Sequence, residues 1–234
     1  MSRIGVFDSG LGGYDIVRHI HQRYPLQDIV FLADQKYVPY GNRTKEELTK
    51  ITLDNLSFFR RKHIRTVIIA CNTTSSLNID LPFVRSFRVI DMTAAQVKEE
   101  KVLVLATAFT VRSHAYKKAM PDKEVMEIAL PDLASLIEQR ANKEEIEQEL
   151  SKYLAEYRNS HIPAVLGCTH YPIIKEQIAE FLKAPVYDSV KPILDLPVYT
   201  EGSGKLQIYS SKDSDIFRNK IIDIYGDEVE VEGI

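Results

Sequence analysis

The sequence is poor in cysteine, in long apolar runs and in net charge, and each shortage limits what the protein can be. Among 234 residues there are two cysteines, and the formal charges nearly cancel at a net -3. No uninterrupted apolar stretch approaches the roughly 18 residues that suggest a membrane span. Because 44% of the residues are hydrophobic, we expect a soluble globular chain of one large domain or two small ones.

The sequence also lacks an extended basic segment and a secretory signal at its start. Its one basic cluster, RRKHIR at 60–65, precedes the apolar run TVIIA, where a solvated helix end and loop are usual. Nucleic-acid binding is therefore not expected. The run IGVF is interrupted almost at once by DSGLGG, unlike the apolar region of a secretory signal. We expect a cytosolic, reducing setting, in which a disulfide is disfavoured, and no membrane partner.

What the sequence does contain is two cysteines in matching surroundings. Cys71 closes the run TVIIAC and Cys168 closes PAVLGC, and small polar groups follow each thiol. An apolar run that ends in a polar cluster is typical of a buried parallel strand, which delivers side chains to the carboxyl edge of an α/β sheet. Ligands usually bind at that edge. Two such strands predict one site with two thiols.

Two other interpretations of the thiols have to be weighed. A free cysteine is among the most buried residue types and often behaves as a small hydrophobe, which would be the preferred interpretation of one cysteine alone. A zinc site is disfavoured because Cys168 and His170 lie two residues apart and Cys71 is remote, which matches no common ligand spacing. We therefore expect no metal.

The order of elements indicates an α/β fold built from two related halves. Apolar runs at RIGVF, DIVFLAD and TVIIA alternate with helix-like stretches, and the rhythm resumes with KVLVLA, VMEIAL and PAVLG. A long charged helix is expected near 143–158. Nearly equal spacings separate Asp8 from Cys71 and Thr107 from Cys168. We predict two pseudo-symmetric α/β lobes, with mainly parallel sheets, that face each other across a cleft.

Lobes of this kind would place a small ligand between two opposed thiols. One wall would carry Asp8 and Cys71, and the other Thr107, Thr110 and Cys168. Opposed acid and base groups suit a reaction in which one removes a proton from a carbon and the other returns a proton from the opposite side, which inverts a stereocentre. A thiol has a reference pKa near 8.5, so each needs a helper. Asp8 beside Cys71 and His170 near Cys168 are the candidates.

The glycine-rich turn DSGLGG has a functional and a structural interpretation. Its spacing fits neither GxGxxG nor the P-loop, so backbone amides that hold a carboxylate are the preferred interpretation. A purely structural tight turn is the alternative for Gly12 and Gly13. Asp8 could also serve as a helix cap.

Five blocks of sequence carry a family resemblance: IGVFDSGLGG, VPYGNRTKEEL, ACNTTSS, LATAFTVRSHAY and GCTHYP. In this order and spacing they closely resemble the cofactor-independent glutamate racemases of the aspartate/glutamate racemase superfamily. The resemblance covers most of the chain and is weakest from about 195 to 205. The later stretch IYSSKDSDIFRNKIIDIYG is similar to the family's last strand and helix. The family resemblance implies a first lobe of residues 1–91 plus about 200–234, and a second lobe of residues 92–199.

The resemblance implies an isomerase that interconverts L- and D-glutamate without a cofactor. Cys71 is implied to take the α-proton from D-glutamate and Cys168 from L-glutamate, each acting as acid when the other acts as base. Asp8 would assist the first thiol and His170 the second. Glu138 matches a family acidic residue, although a helix-surface glutamate is the ordinary interpretation of LIEQR. The implied substrate-binding groups are Ser9, Pro39, Tyr40, Gly41, Asn72, Thr73, Thr107, Thr110 and Thr169.

The same resemblance implies a cytoplasmic homodimer that supplies D-glutamate for peptidoglycan, and hence for cell-wall biogenesis and cell shape. The stretch between ACNTTSS and VRSFRVIDM is shorter than in most family members, so an aspartate racemase or one of broader specificity stays open. A catalytically weak homologue that binds an amino acid or a protein partner is an alternative of a different class. A pyridoxal enzyme is a further rival, which a visible cofactor absorbance would reveal.

Overall fold

The computed structural model describes residues 3–79 and 84–234, where helices and strands alternate along the chain. The strands are β1 (Ile4–Asp8), β2 (Ile29–Ala33), β3 (Thr66–Ile69), β4 (Arg85–Arg88), β5 (Lys101–Ala106), β6 (Glu124–Ala129), β7 (Ala164–Gly167), β8 (Val186–Tyr187), β9 (Leu206–Ser210) and β10 (Val231–Gly233). The α-helices are α1 (Gly12–Arg23), α2 (Lys45–Arg61), α3 (Asn72–Ser75), α4 (Val89–Ala94), α5 (Ala108–Ser113), α6 (Ala115–Ala119), α7 (Leu133–Glu138), α8 (Lys143–Leu154), α9 (Lys175–Leu182), α10 (Val190–Leu194) and α11 (Ser214–Tyr225). Short 3-10 helices lie at Gln35–Tyr37, Tyr40–Asn42, Ala155–Tyr157 and Tyr171–Ile174.

The strands form two sheets that repeat one order. The first sheet runs β10–β9–β2–β1–β3–β4 and the second runs β6–β5–β7–β8, and the paired strands in both are parallel. The unit β2–β1–β3–β4 thus has the same order as β6–β5–β7–β8, so β1 corresponds to β5 and β3 to β7. This confirms the predicted fold class, two α/β lobes with parallel sheets.

The end of the chain adds to the first sheet, because β9 pairs with β2 and β10 with β9. We call the first sheet and its helices the first lobe, and the second sheet and its helices the second lobe. The lobe boundaries at 1–91 plus about 200–234, and at 92–199, stay a prediction.

Local sequence signals explain several helix boundaries. Helix α2 begins with a capping box, in which the Thr44 hydroxyl accepts from the Glu47 amide and the Glu47 carboxylate accepts from the Thr44 amide. Helix α8 begins with the same device, made by Asn142 and Glu145. The helix expected over 143–158 ends at Leu154, because the chain there tightens into a 3-10 turn.

The two lobes share part of their hydrophobic core. One cluster of buried residues combines Ile4 and Phe31 of the first sheet with Val104 and Val165 of the second. A further cluster lies within the second lobe, and another consists of first-lobe residues together with Phe109 of α5 in the second lobe. The shared cluster holds the carboxyl ends of both sheets close together, which positions the site. Among the helices that the structure describes, none has the length and apolar character needed to cross a membrane.

Candidate active site

A cavity of about 370 Å³ lies where the carboxyl ends of the two sheets meet. Its size is within the range of small-molecule sites. Both thiols line it, although Cys71 follows β3 of the first sheet and Cys168 follows β7 of the second. The lining residues are Ser9, Val38, Pro39, Tyr40, Gly41, Asn42, Cys71, Asn72, Thr73, Thr107, Ala108, Pro131, Asp132, Ala134, Ser135, Glu138, Cys168, Thr169 and His170.

The lobes touch beside this cavity at Gly12 and Thr169. A Cβ atom at Gly12 would lie 2.4 Å from the carbonyl carbon of Thr169, so a side chain cannot be placed there without moving the backbone. The Thr169 hydroxyl also donates to both carboxylate oxygens of Asp8, at 3.3 Å. The close approach gives Gly12 a structural reason to be glycine.

Cys71 occupies the wall formed by the first lobe and is 4% exposed. Its thiol donates to the Ser9 hydroxyl, with a distance of 3.5 Å between sulfur and oxygen. Burial, followed by the negative charge of Asp8, raises the pKa of Cys71 to about 11. Cys71 is therefore a protonated thiol near neutral pH, which suits it to deliver a proton.

Asp8 lies behind this wall and is completely buried. Its Oδ2 accepts hydrogen bonds from the amides of Gly10 at 2.9 Å and Gly13 at 3.1 Å. Burial raises the pKa of Asp8 to about 6, although the positive charge of His170 and these hydrogen bonds oppose the rise. The carboxylate thus holds the start of α1 and also places a negative charge near Cys71.

Cys168 occupies the opposite wall beside His170. Its sulfur lies 3.7 Å from His170 Nδ1, and His170 Nε2 lies 2.8 Å from Glu138 Oε1. Burial by itself lowers the pKa of His170, but the hydrogen bonds and charges of Cys168 and Glu138 raise it well above its usual value. His170 is therefore an imidazolium near neutral pH, and its positive charge lies beside the sulfur of Cys168.

Glu138 anchors this pair together with a residue that sequence reasoning missed, Lys220 of α11. Lys220 Nζ lies 2.7 Å from Glu138 Oε2. Burial raises the pKa of Glu138, but the hydrogen bonds and charges of His170 and Lys220 bring it down to about 2. A signal for Lys220 is present, because it lies on the helical face of the buried residues Phe217 and Ile221.

Neutral polar groups form a third part of the cavity lining, beside the apolar residues and Asp132. The Thr107 hydroxyl lies 3.0 Å from that of Thr73 and 3.1 Å from that of Thr110, so these three groups bridge the lobes. Gly41 approaches the same place, since a Cβ atom there would lie 3.1 Å from Thr107 Cβ. The result is a cluster of hydroxyl and backbone donors suited to a carboxylate.

A buried carboxylate holds the turn at 39–41 in place. Asp34 accepts hydrogen bonds from the Tyr40 hydroxyl, from Asn55 Nδ2 and from the Ser211 hydroxyl. Burial and the charge of Asp34 raise the pKa of Tyr40 well above its usual value, so its hydroxyl stays a donor. Sequence reasoning missed Asp34, which lies directly after β2 at the carboxyl edge of the sheet.

The structure brings most of the sequence-predicted site residues to one cavity. Asp8 and Thr110 do not line it, but each contacts a residue that does, Thr169 and Thr107 respectively. Part of the shortened stretch after ACNTTSS, residues 80–83, lies outside the described residues. In the ranges 3–79 and 84–234, no group of three or more His, Cys, Asp or Glu side chains is arranged to hold a metal ion.

The sequence matches a known family and its members over most of its length. Residues 14–195 match the model of the Asp/Glu/Hydantoin racemase family. The chain is 34% identical to the glutamate racemase of Aquifex aeolicus, over 97% of this chain and 96% of that protein. It is 36% identical to the glutamate racemase of Fusobacterium nucleatum, over 85% of this chain and 80% of that protein.

The fold is also similar to that of solved structures. The glutamate racemase of Francisella tularensis, crystallised in complex with D-glutamate, superposes with a TM-score of 0.89. The match covers 100% of this chain and 97% of that one, at 28% identity.

Proposed function

The chain belongs to the Asp/Glu/Hydantoin racemase family, and we propose that it interconverts L- and D-glutamate by proton transfer between Cys71 and Cys168. As a member of this family it is an isomerase, an amino-acid racemase. The observation that carries the proposal is the position of the two thiols, which come from different sheets and line one cavity. The glutamate racemases to which the chain is similar, one of them bound to D-glutamate, support glutamate as the substrate.

In the proposed reaction, the thiolate of Cys168 takes the α-proton of L-glutamate. The electron pair of the broken carbon–hydrogen bond stays on the α-carbon and delocalises into its carboxylate. The thiol of Cys71 then donates its proton to the opposite face, which gives D-glutamate and leaves a Cys71 thiolate. The reverse direction begins at that thiolate. No net oxidation occurs, so the scheme requires no redox partner.

The electrostatics of the two walls support these roles. The imidazolium of His170 lies beside the sulfur of Cys168, whereas burial and Asp8 keep Cys71 protonated. We propose that Cys168 serves as the base on one wall for L-glutamate and Cys71 as the acid on the other. We propose that Glu138 positions His170. We also propose that Asp8 restrains the opposite wall and that its charge raises the pKa of Cys71.

The remaining predicted groups are proposed to hold the substrate in either configuration. They are Ser9, Pro39, Tyr40, Gly41, Asn72, Thr73, Thr107, Thr110 and Thr169. Their hydroxyl, amide and backbone donors suit two carboxylates, and burial strengthens such hydrogen bonds. Thr110 would act through its contact with Thr107.

The biological setting belongs to the same proposal. We propose a cytoplasmic homodimer that supplies D-glutamate for peptidoglycan, and this part rests on the family resemblance. Sedimentation of the purified protein tests the homodimer, and restoration of growth in a D-glutamate-requiring bacterium tests the supply of D-glutamate.

The decisive experiment follows the α-proton of L- and D-glutamate in deuterated water by NMR, together with optical rotation. Wild type is expected to exchange and invert both enantiomers. Cys71→Ser and Cys168→Ser are each expected to lose inversion. Residual exchange should be confined to the enantiomer whose thiol remains, L-glutamate for Cys71→Ser and D-glutamate for Cys168→Ser.

Each other outcome has a defined meaning. Exchange with aspartate but not with glutamate would replace the substrate while keeping the mechanism. Inversion that survives in either serine variant would refute the two-thiol mechanism. Wild type that binds glutamate without exchange would refute the enzymatic proposal altogether.

A further inference from the structure

In the cavity wall, the carboxamide of Asn72 has a hydrogen bond at one end only. Asn72 is 2% exposed and directly follows the thiol of Cys71. Its Oδ1 accepts a hydrogen bond of 2.7 Å from the Tyr116 hydroxyl, whereas its Nδ2 has no hydrogen-bond partner among the described residues. A buried donor without a partner is costly. Because Asn72 lines the cavity and its Nδ2 is buried without a partner, a ligand group seated against this wall would supply the missing acceptor.

We propose that Tyr116 is a positioning residue that locks the Asn72 carboxamide, so that Nδ2 donates to a carboxylate of the substrate. The inference rests on the proposed function, since it assigns the substrate group that Asn72 meets. A carboxamide can turn over and exchange its oxygen for its nitrogen at little cost unless a neighbour distinguishes them. The Tyr116 hydroxyl distinguishes the two ends because it donates to Oδ1. The Nδ2 end is then left to donate to the anion.

Packing gives Tyr116 the rigidity that such a role needs. Its side chain is completely buried in the core cluster shared by the two lobes. A Cβ atom added to Gly167 would lie 3.1 Å from Tyr116 Cε2, so the ring fits closely against the end of β7. The hydroxyl therefore has a defined position opposite Asn72.

The hydrogen bond also crosses the cleft. Asn72 begins α3 in the first lobe, and Tyr116 lies in α6 of the second. The carboxamide thus has the correct orientation only when the lobes are correctly placed, which couples carboxylate binding to the geometry around both thiols.

A turned-over carboxamide would present Oδ1 to the anion and repel it. Loss of the lock should therefore weaken binding more than it slows the proton transfer. For one neutral hydrogen bond, we expect the KM for glutamate to rise about 3- to 10-fold, with a smaller change in kcat.

The test compares Tyr116→Phe with wild type and with a matched control, Tyr24→Phe. The control also removes a tyrosine hydroxyl, one that donates to the carbonyl of Leu194 at 2.7 Å, away from the cavity. Tyr116→Phe is expected to raise KM, and Tyr24→Phe to leave it unchanged. Since the lock acts through Asn72, Tyr116→Phe should have no further effect on KM in an Asn72→Ala background.

A second measurement on wild type does not depend on whether Tyr116→Phe folds. The side-chain amide of Asn72, assigned in nitrogen-15 NMR spectra by comparison with Asn72→Ala, should give one pair of proton signals. These signals should exchange slowly with solvent and shift on addition of D-glutamate. An amide that exchanges rapidly, or signals that do not respond to D-glutamate, would overturn the inference.

The outcomes separate this inference from the proposed function. Wild type that does not racemise glutamate contradicts the proposed function. Racemisation by wild type, combined with an unchanged KM for Tyr116→Phe, overturns the inference alone. An equal rise in KM in the Asn72→Ala background would also overturn it, because Tyr116 would then act through the core and not through Asn72.

Discussion

Replacing Glu138 with glutamine is expected to slow racemisation, because the change removes the charge that keeps His170 protonated. Glu138 accepts hydrogen bonds from His170 at 2.8 Å and from Lys220 at 2.7 Å. Glutamine has nearly the same shape and can still accept through Oε1, but it carries no charge. The Nε2 end of the carboxamide cannot accept from Lys220, so Glu138→Gln removes the charge and the Lys220 hydrogen bond but keeps an acceptor for His170.

The magnitude follows from the pKa of Glu138, which falls from 4.5 to about 2. At about 1.4 kcal/mol per pKa unit, the fall corresponds to about 3 kcal/mol of interaction. Lys220 is 34% exposed, so solvent screens its share, and we assign about 2 kcal/mol to His170. Loss of the whole of this interaction of about 2 kcal/mol with His170 would lower kcat/KM about 30-fold. Because glutamine keeps a neutral hydrogen bond, we expect a fall of about tenfold.

The pH dependence has a defined sign. The hydrogen bond and charge of Glu138 help to raise the pKa of His170, so the variant lowers that pKa, and protonated His170 is lost at a lower pH. The alkaline limb of the kcat/KM profile should therefore move to lower pH. Circular dichroism assays of racemisation, started from each enantiomer in turn, measure this kcat/KM profile. Because L- and D-glutamate are equally stable, kcat/KM must fall equally in both directions.

A surface glutamate provides the control. Glu147 on α8 pairs with Arg158 at an exposed position and does not line the cavity, so Glu147→Gln should match wild type. A Glu138→Gln variant with the wild-type kcat/KM and an unmoved alkaline limb would refute the argument.

Three further predictions concern the same site. Burial raises the pKa of Asp8 from 3.8 to about 6. As pH rises through this window, the free energy of unfolding of wild type should fall by up to about 3 kcal/mol relative to that of Asp8→Asn. If urea unfolding gave the same difference between the two proteins from about pH 4 to about pH 7, the result would contradict this. In Cys168→Ser, the rate at which iodoacetamide alkylates Cys71 should rise about tenfold per pH unit below the pKa of Cys71, about 11. A rate that reaches a plateau below about pH 9 would show that the thiol ionises at a lower pH. Gly12→Ala should destabilise the fold by about 1–3 kcal/mol in thermal unfolding, since its Cβ would meet the Thr169 backbone; an unchanged melting temperature would rule out that contact.

Local patterns predicted the strands and the positions of the thiols at their ends. TVIIA and PAVLG became β3 and β7, and Cys71 and Cys168 lie just beyond them. Such runs are informative because a strand buried on both faces requires consecutive apolar residues. The same kind of pattern did not define the end of α8 at Leu154, since a helix end without a strong stop signal depends on the next packing contact.

The partners of the site residues were harder to predict. Asp8 was predicted to assist Cys71, and its charge does raise the pKa of that thiol. The sequence did not predict the hydrogen-bond partners: the thiol donates to Ser9, and the carboxylate accepts from Gly10, Gly13 and Thr169. Short polar side chains on a turn have several possible partners, and their sequence spacing does not distinguish them.

By itself, the sequence determined the parallel α/β class, the duplication and the placement of two thiols at strand ends, because hydrophobic periodicity acts within each segment. Only the tertiary structure decided that Lys220 meets Glu138, and that Tyr116 faces Asn72 across the cleft. These contacts join segments that are distant along the chain. Their distances depend on how two lobes pack, and no local pattern records that packing.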